Sequence, residues 1–279
     1  MSFIEKYLVE PFKYIESDWF KVLIGSLLLF LYIVFDMGLR ILLGPFAIIF
    51  TPVAYLLVII ILIIDLLISI IISGYYIGVI KNTLKGVGTL PNWNNLIEIV
   101  KDGILYNIAL LILLTVAFIP VVILLIVGAF FTTVGFGDYL TLLLESSAQG
   151  ASGVALIFLG IAGILSILIM LILIIYIPLA MVNFARKGFL GFFEFFDILK
   201  KISFEYILIL LLYIILFAII SAIFVVAFFF SAVIILIPFI GVLISGLIML
   251  IASAITTALS FIVGIMFNRA VAKYYLERL

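Results

Sequence analysis

Long apolar runs alternate along this chain with short returns in which polar and charged residues collect. At about 20 residues per bilayer crossing, the run over 22–80 is long enough for two spans, with an outer turn expected at Gly44 and Pro45 and with Pro52 in the first turn of the second. Four more runs predict spans over about 104–131, bent near Pro120, about 154–182, about 206–236, turning at Pro238, and about 241–267. The pattern predicts an all-α, polytopic transmembrane bundle of six spans, forming a single membrane domain over 1–279.

The returns share a grammar. Over 73–107 an apolar run ends at Ile80, two lysines follow (Lys81, Lys85), and then a turn rich in Gly and Pro (Gly86, Gly88, Pro91). Next, Trp93, Leu96, Ile97, Val100 and Ile104 fall three and four residues apart, while Asn94, Asn95, Glu98, Lys101 and Asp102 fill the other face. That pattern predicts an amphipathic interfacial helix lying on the membrane before the third span. The same is expected over 191–204, where Phe192, Phe195, Phe196, Leu199 and Ile202 share a face, and at the start, where Phe3, Ile4, Tyr7 and Leu8 do so before Pro11. Ser17 and Asp18 stand where an N-cap of the first span belongs.

An internal repeat is legible in these returns. Glu98-Ile99-Val100-Lys101 aligns with Asp197-Ile198-Leu199-Lys200, and Lys85-Gly86 with Lys187-Gly188. Three units over 1–88, 89–188 and 189–279 are expected, each an interfacial helix plus a helical hairpin. The competing reading is that any return between spans collects basic and amphipathic residues.

Charge sets the expected sidedness. Of the 14 basic residues, all but Arg40 fall in the N-terminal stretch, in the two returns or in the C-terminal tail. The positive-inside rule then places both termini in the cytoplasm of a multi-pass cell-membrane protein. Trp19 and Trp93, the two tryptophans, are expected in the inner aromatic belt. The first apolar run is expected to be retained, since no small-residue cleavage site precedes Asp36.

Composition narrows the chemistry. With 69% apolar and 10% charged residues the chain departs from water-soluble domains, in which charged residues make up about a quarter. Its 14 acidic side chains cancel the basic ones, so no nucleic-acid partner is expected. Lacking histidine and cysteine, it offers no imidazole or thiol for acid-base work, and no catalytic residue, cofactor or metal site is expected. The expected role is a non-enzymatic scaffold, lipid-handling or transport-type bundle with membrane lipids as partners, a homo-oligomer being possible and the substrate unknown.

The run SGYYIGVIKNTLKG, the LPNW and KDGI after it, the NFARKGFLGFFEFFDIL segment, and the closing IPFIGVL and FNRAVAKYY resemble one family. It is a group of prokaryotic, largely archaeal, polytopic membrane proteins known as domain of unknown function 4013. The resemblance runs from about Phe12 to Tyr275 and is patterned mostly at the inner returns; the apolar region before Ser73 is longer than the family's. It implies the architecture and no activity.

Two anomalies are candidate sites. Asp36, Arg40 and Asp65 put charge at mid-membrane, where each costs about 3 kcal/mol. At about 1.5 Å per residue the two carboxylates are level on adjacent helices, roughly 22–24 Å from the inner boundary. Arg40 is four residues on from Asp36, and Ser69, Ser73 and Tyr76 continue a stripe from Asp65. Two readings follow: a proton- or cation-linked path with Asp65 titrating, or a structural ion pair with interhelical hydrogen bonds. The second anomaly, Thr133-Val134-Gly135-Phe136-Gly137, is similar to the carbonyl-lined filter of potassium channels. It supplies the alternative function, a potassium-like cation-selective pore. Such a filter needs a separate half-membrane pore helix before it, and 104–131 leaves little chain for one.

Overall fold

Inside a bilayer no water can satisfy the backbone, so an apolar chain crosses it as helices whose hydrogen bonds close within each segment. The computed structural model describes residues 2–49, 51–133, 150–238 and 240–279; the side chains of 37, 38, 40–51 and 131–155 fall outside that description. A π-type turn over Glu5–Val9 leads into α1 (Glu10–Glu16), α2 (Trp19–Ile49), α3 (Thr51–Leu84) and α4 (Leu96–Thr133). Then come α5 (Gly150–Lys187), a 3₁₀ turn over Phe189–Phe193, α6 (Phe195–Leu199), α7 (Phe204–Ile234) and α8 (Ile240–Leu276). Six of these, α2 to α5, α7 and α8, are long and apolar enough to cross a membrane, and no strand occurs among the described residues. The chain is an all-α, multi-pass bundle, as its pattern predicts.

Each spanning helix has 31 to 38 residues, about 46 to 57 Å, against a hydrocarbon core of about 30 Å. The surplus turns explain two departures from expectation. Gly44 and Pro45 do not turn the chain; α2 continues through them to Ile49, and Pro52 opens α3 as expected. A membrane helix tolerates such residues because the alternative is unsatisfied backbone in hydrocarbon. The amphipathic stretch after Trp93 is likewise no separate interfacial helix but the first turns of α4, which runs unbroken through Pro120.

Only 11 to 22% of the residues in the apolar stretch of each span are buried within the chain itself. The chain groups into two compact units, Met1–Asn107 with Pro178–Leu279, and Ile108–Ile177. In the first, α8 is central, packing on α1, α2, α3 and α7. Its small residues Gly241, Ser245, Ser253, Thr257 and Gly264 are buried and let neighbours come close. Gly264 lies against the Tyr76 ring, and the Ser231 hydroxyl donates to the Ser245 carbonyl at 3.2 Å. In the second unit Gly128 of α4 seats Phe158 of α5.

The N-terminal stretch is part of the protein core rather than a helix resting only on the membrane. Tyr7, Pro11, Tyr14 and Ile15 are buried, and the Tyr213 hydroxyl donates to the Tyr7 carbonyl at 2.8 Å. Asp18 caps α2 as expected, its carboxylate accepting from the Lys21 backbone N–H at 3.3 Å.

Candidate functional site

Four-residue spacing places Asp65, Ser69 and Ser73 in a row on one side of α3; Lys81 stands in its last turn and Lys85 just past its end. α4 meets that side at its own start because two glycines allow it. A Cβ on Gly74 would collide with the Ile99 carbonyl, and one on Gly103 with the Ile70 carbonyl, so the two backbones touch at this crossing. The approach brings Asn107 against the serines. Ser69 Oγ donates to Asn107 Oδ1 at 3.0 Å, and Asn107 Nδ2 donates to Ser73 Oγ at 2.8 Å and to its own Gly103 carbonyl at 2.8 Å. Higher on α3, Asp65 accepts from the Tyr32 hydroxyl of α2. The seam lies on the flank of the helices: Ser69 is exposed, and Asp65, Ser73 and Asn107 are half-buried.

Below the crossing the seam opens into a polar cleft of about 340 Å³ between α3, the start of α4 and the return that joins them. Lys81 pairs with Asp102 at 2.6 Å and with Glu98 at 3.7 Å. The return is held at several points. Gly86 takes φ +71°, which glycine adopts without strain, and the Val87 N–H closes back on the Asn82 carbonyl at 2.9 Å. The Thr89 carbonyl accepts from Asn82 Nδ2 at 3.0 Å and from the Tyr14 hydroxyl at 2.8 Å, and the Leu90 carbonyl from Lys21 Nζ at 3.0 Å. Trp93 stacks on Tyr75 with centroids 4.1 Å apart, and its indole N–H donates to the Lys21 carbonyl at 2.9 Å. Trp93 is therefore a buried anchor beside the cleft rather than an outward-facing belt residue, whereas Trp19 is half exposed.

The same base-to-acid contact recurs at the charged end. Lys187 at the end of α5 pairs with Glu194, and lies 3.7 Å from Asp197. Arg269 and Lys273 near the end of α8 both reach Glu10 of the N-terminal stretch, at 2.6 and 3.0 Å. Arg269 also stacks 3.9 Å above the Tyr14 ring. Burial alone would raise the Glu10 carboxyl, but the hydrogen bonds and charges of Arg269 and Lys273 outweigh it and hold the group below its ordinary range. Lys187 and the Asn183 amide lower Glu194 in the same sense. Lys6 joins Glu205 at 3.3 Å and also bonds Glu277, tying the first turn to α7 and to the C-terminal end. The four acids of the two returns, Glu98, Asp102, Glu194 and Asp197, are thus engaged by lysines at the ends of the preceding spans.

Of the predicted intramembrane residues, Ser69 and Ser73 come together through Asn107, and Asp65 sits beside Tyr32, one turn from Asp36 on α2. Tyr76 leaves the stripe and stacks on Phe261 of α8, 5.9 Å away. The side chain of Arg40 is outside the described ones, so its pairing with either acid is outside them too. Asn107 and Tyr32 were missed by the sequence reading, although an amide inside a predicted span was a signal for Asn107. In the potassium-like alternative, Thr133 is the last residue of the unbroken α4, and no separate pore helix precedes it; 134–137 lie outside the described residues.

Comparison with known proteins adds kinship. A family model described as "Protein of unknown function (DUF4013)" matches residues 56–230. The uncharacterized protein MJ1189 of Methanocaldococcus jannaschii is 29% identical over 225 residues, covering 76% of this chain and 74% of that protein. The uncharacterized protein MJ0233 of the same organism is 30% identical over 229 residues, covering 78% and 75%. No solved structure matches the chain.

Proposed function

The chain belongs to the DUF4013 family of membrane proteins of unknown function, and from that premise we propose that it is a non-enzymatic, lipid-handling bundle whose working surface is the α3–α4 seam. One observation carries the reading: a polar line on a half-exposed flank descends from Asp65 through Ser69, Ser73 and Asn107 to an open polar cleft. A buried ion path would enclose these groups. A flank open to the bilayer instead suits a lipid whose headgroup follows the polar line while its tails stay in hydrocarbon, because an unpaired polar group in that medium is costly. The charged end, with the cleft and both termini, faces the cytoplasm of the cell membrane under the positive-inside rule.

The proposal keeps the repeat of 1–88, 89–188 and 189–279 on the likeness of the returns in sequence, and a base-to-acid contact joins each return to a span. In the first two returns the base ends a span and the acid follows it; for the last span the acid, Glu10, comes from the start of the chain.

The test is exchange of a fluorescent phospholipid between leaflets of reconstituted vesicles, read by chemical quenching of the outer leaflet. Wild-type protein accelerates exchange over protein-free vesicles. Ser69→Leu, an exposed position whose change leaves the fold intact, slows it about ten- to a hundredfold, the equivalent of one unpaired polar contact of about 1–3 kcal/mol. Exchange no faster than in protein-free vesicles overturns the proposal.

A further inference from the structure

The lysines and acids around the cleft at the foot of the seam sum to zero, but they do not cancel in place. Lys21 is met by Asp18 at 3.2 Å, while Lys81 is shared by Asp102 at 2.6 Å and Glu98 at 3.7 Å. One lysine thus answers two acids, and Lys85, exposed and one turn beyond it, has no ion pair among the described residues. The cleft is balanced yet has two poles: negative charge in excess at Glu98, the more distant and more exposed of the two acids, and positive charge in excess at Lys85. One Glu98 oxygen accepts from the Asn95 amide at 3.0 Å, which leaves further acceptor positions on a carboxylate that has about four. Among the described residues none that lines the cleft is aromatic. Gly74 and Ile99, which touch where α3 crosses α4, line it too, so the cleft begins where the polar line ends. The volume of about 340 Å³ falls within the range of small-molecule sites, about 300–1,000 Å³. The pinning of the return by Tyr14, Lys21, Asn82 and Trp93 means that a ligand would meet a cleft already formed, with little ordering cost left to binding.

From this geometry we infer that the cleft binds a zwitterionic phosphodiester headgroup ending in a primary ammonium, as on a phosphatidylethanolamine-type lipid. Lys85 takes the phosphodiester, and Glu98 takes the ammonium, whose three N–H donors suit a carboxylate. A quaternary ammonium has no N–H to donate and is held instead by aromatic faces, which this cleft lacks. An anionic headgroup without an amine engages Lys85 and leaves Glu98 unused, so it keeps one of the two charged contacts. The inference rests on the lipid-handling reading for the lipid's route to the cleft. Binding at equilibrium needs no exchange between leaflets, so the two stand or fall on separate measurements.

The experiment uses the full chain in micelles of an uncharged alkyl maltoside, titrated with short-chain phosphatidylethanolamine, phosphatidylcholine or phosphatidylglycerol, or with tail-free glycerophosphoethanolamine. It follows the heat of binding and the thermal midpoint. Phosphatidylethanolamine binds saturably and raises the midpoint; phosphatidylcholine and phosphatidylglycerol bind about tenfold more weakly, in keeping with loss of one charged hydrogen bond. Glu98 and Lys85 are both exposed, so their variants keep the fold. Glu98→Gln weakens phosphatidylethanolamine about tenfold and leaves phosphatidylglycerol no weaker, whereas Lys85→Gln weakens both. Lys101→Gln, at a groove elsewhere on α4, alters neither. Equal affinity for phosphatidylethanolamine and either of the other lipids overturns the two-pole site, as does a Glu98→Gln variant that binds phosphatidylethanolamine like wild type. Glycerophosphoethanolamine binding as tightly as the lipid overturns the assignment to a lipid. Binding without leaflet exchange supports the cleft and sinks the lipid-exchange proposal alone.

Discussion

Gly74 and Gly103 show how a single missing carbon positions a site. Their backbones touch where α3 crosses α4, and only that contact brings Asn107 within reach of Ser69 and Ser73. Gly103→Ala is expected to force the helices apart and to lower stability by about 3 kcal/mol, the upper range for overpacking, as read by thermal unfolding in detergent. Gly246→Ala, where an added Cβ meets nothing within 4 Å, should leave the midpoint unchanged or raise it slightly. The glycines are plain in the sequence, each beside residues of a family-like motif. That they face each other is not, because periodicity places a residue on a face of its own helix and says nothing of what stands opposite.

At the scale of elements, the amphipathic pieces reverse the rule for soluble helices. In the first turns of α4 the apolar residues Leu96, Ile97 and Ile104 lie outward, Ile97 being 87% exposed, while Ile99, Gly103 and Tyr106 are buried. Around α6, Phe195, Phe196 and Leu199 face outward and Phe192 and Ile198 are buried. Hydrocarbon solvates apolar side chains as well as protein does, so the stripe of highest hydrophobicity marks the lipid face and not the core. The N-terminal stretch escapes this logic because ion pairs hold it to α8. Glu10→Gln leaves the largely buried Arg269 short of its partner and is expected to cost about 3 kcal/mol. The pH dependence has a definite sign. Since the folded-state Glu10 carboxyl titrates below the ordinary 4.5, its contribution is complete above that value and is lost as pH falls through the lower, folded-state value. Midpoints measured from pH 6 downward should therefore fall more steeply in wild type than in Glu10→Gln.

For the whole molecule, sidedness is the property on which the functional proposals depend. The chain has no cysteine of its own, so single-cysteine variants report cleanly. Val87→Cys and Glu145→Cys are expected to react with an impermeant maleimide from opposite sides of sealed vesicles, Val87 from the cytoplasmic side; labelling from one side would break the six-crossing plan. The number of spans, the basic returns, the Asp18 cap and the polar residues inside the membrane were all legible in the linear order, because each follows from local hydrophobicity, local charge or a spacing of a few residues. Other features were decided by contacts between residues far apart in sequence: Trp93 burying itself against Tyr75 beside the cleft, the start of the chain locking onto its last helix, and Asn107 completing the seam. A sequence in a membrane is written mainly against its solvent, and hydrocarbon asks the same of every span; which spans meet, and on which faces, is settled by close fit and by a few buried polar pairs that no window of neighbouring residues contains.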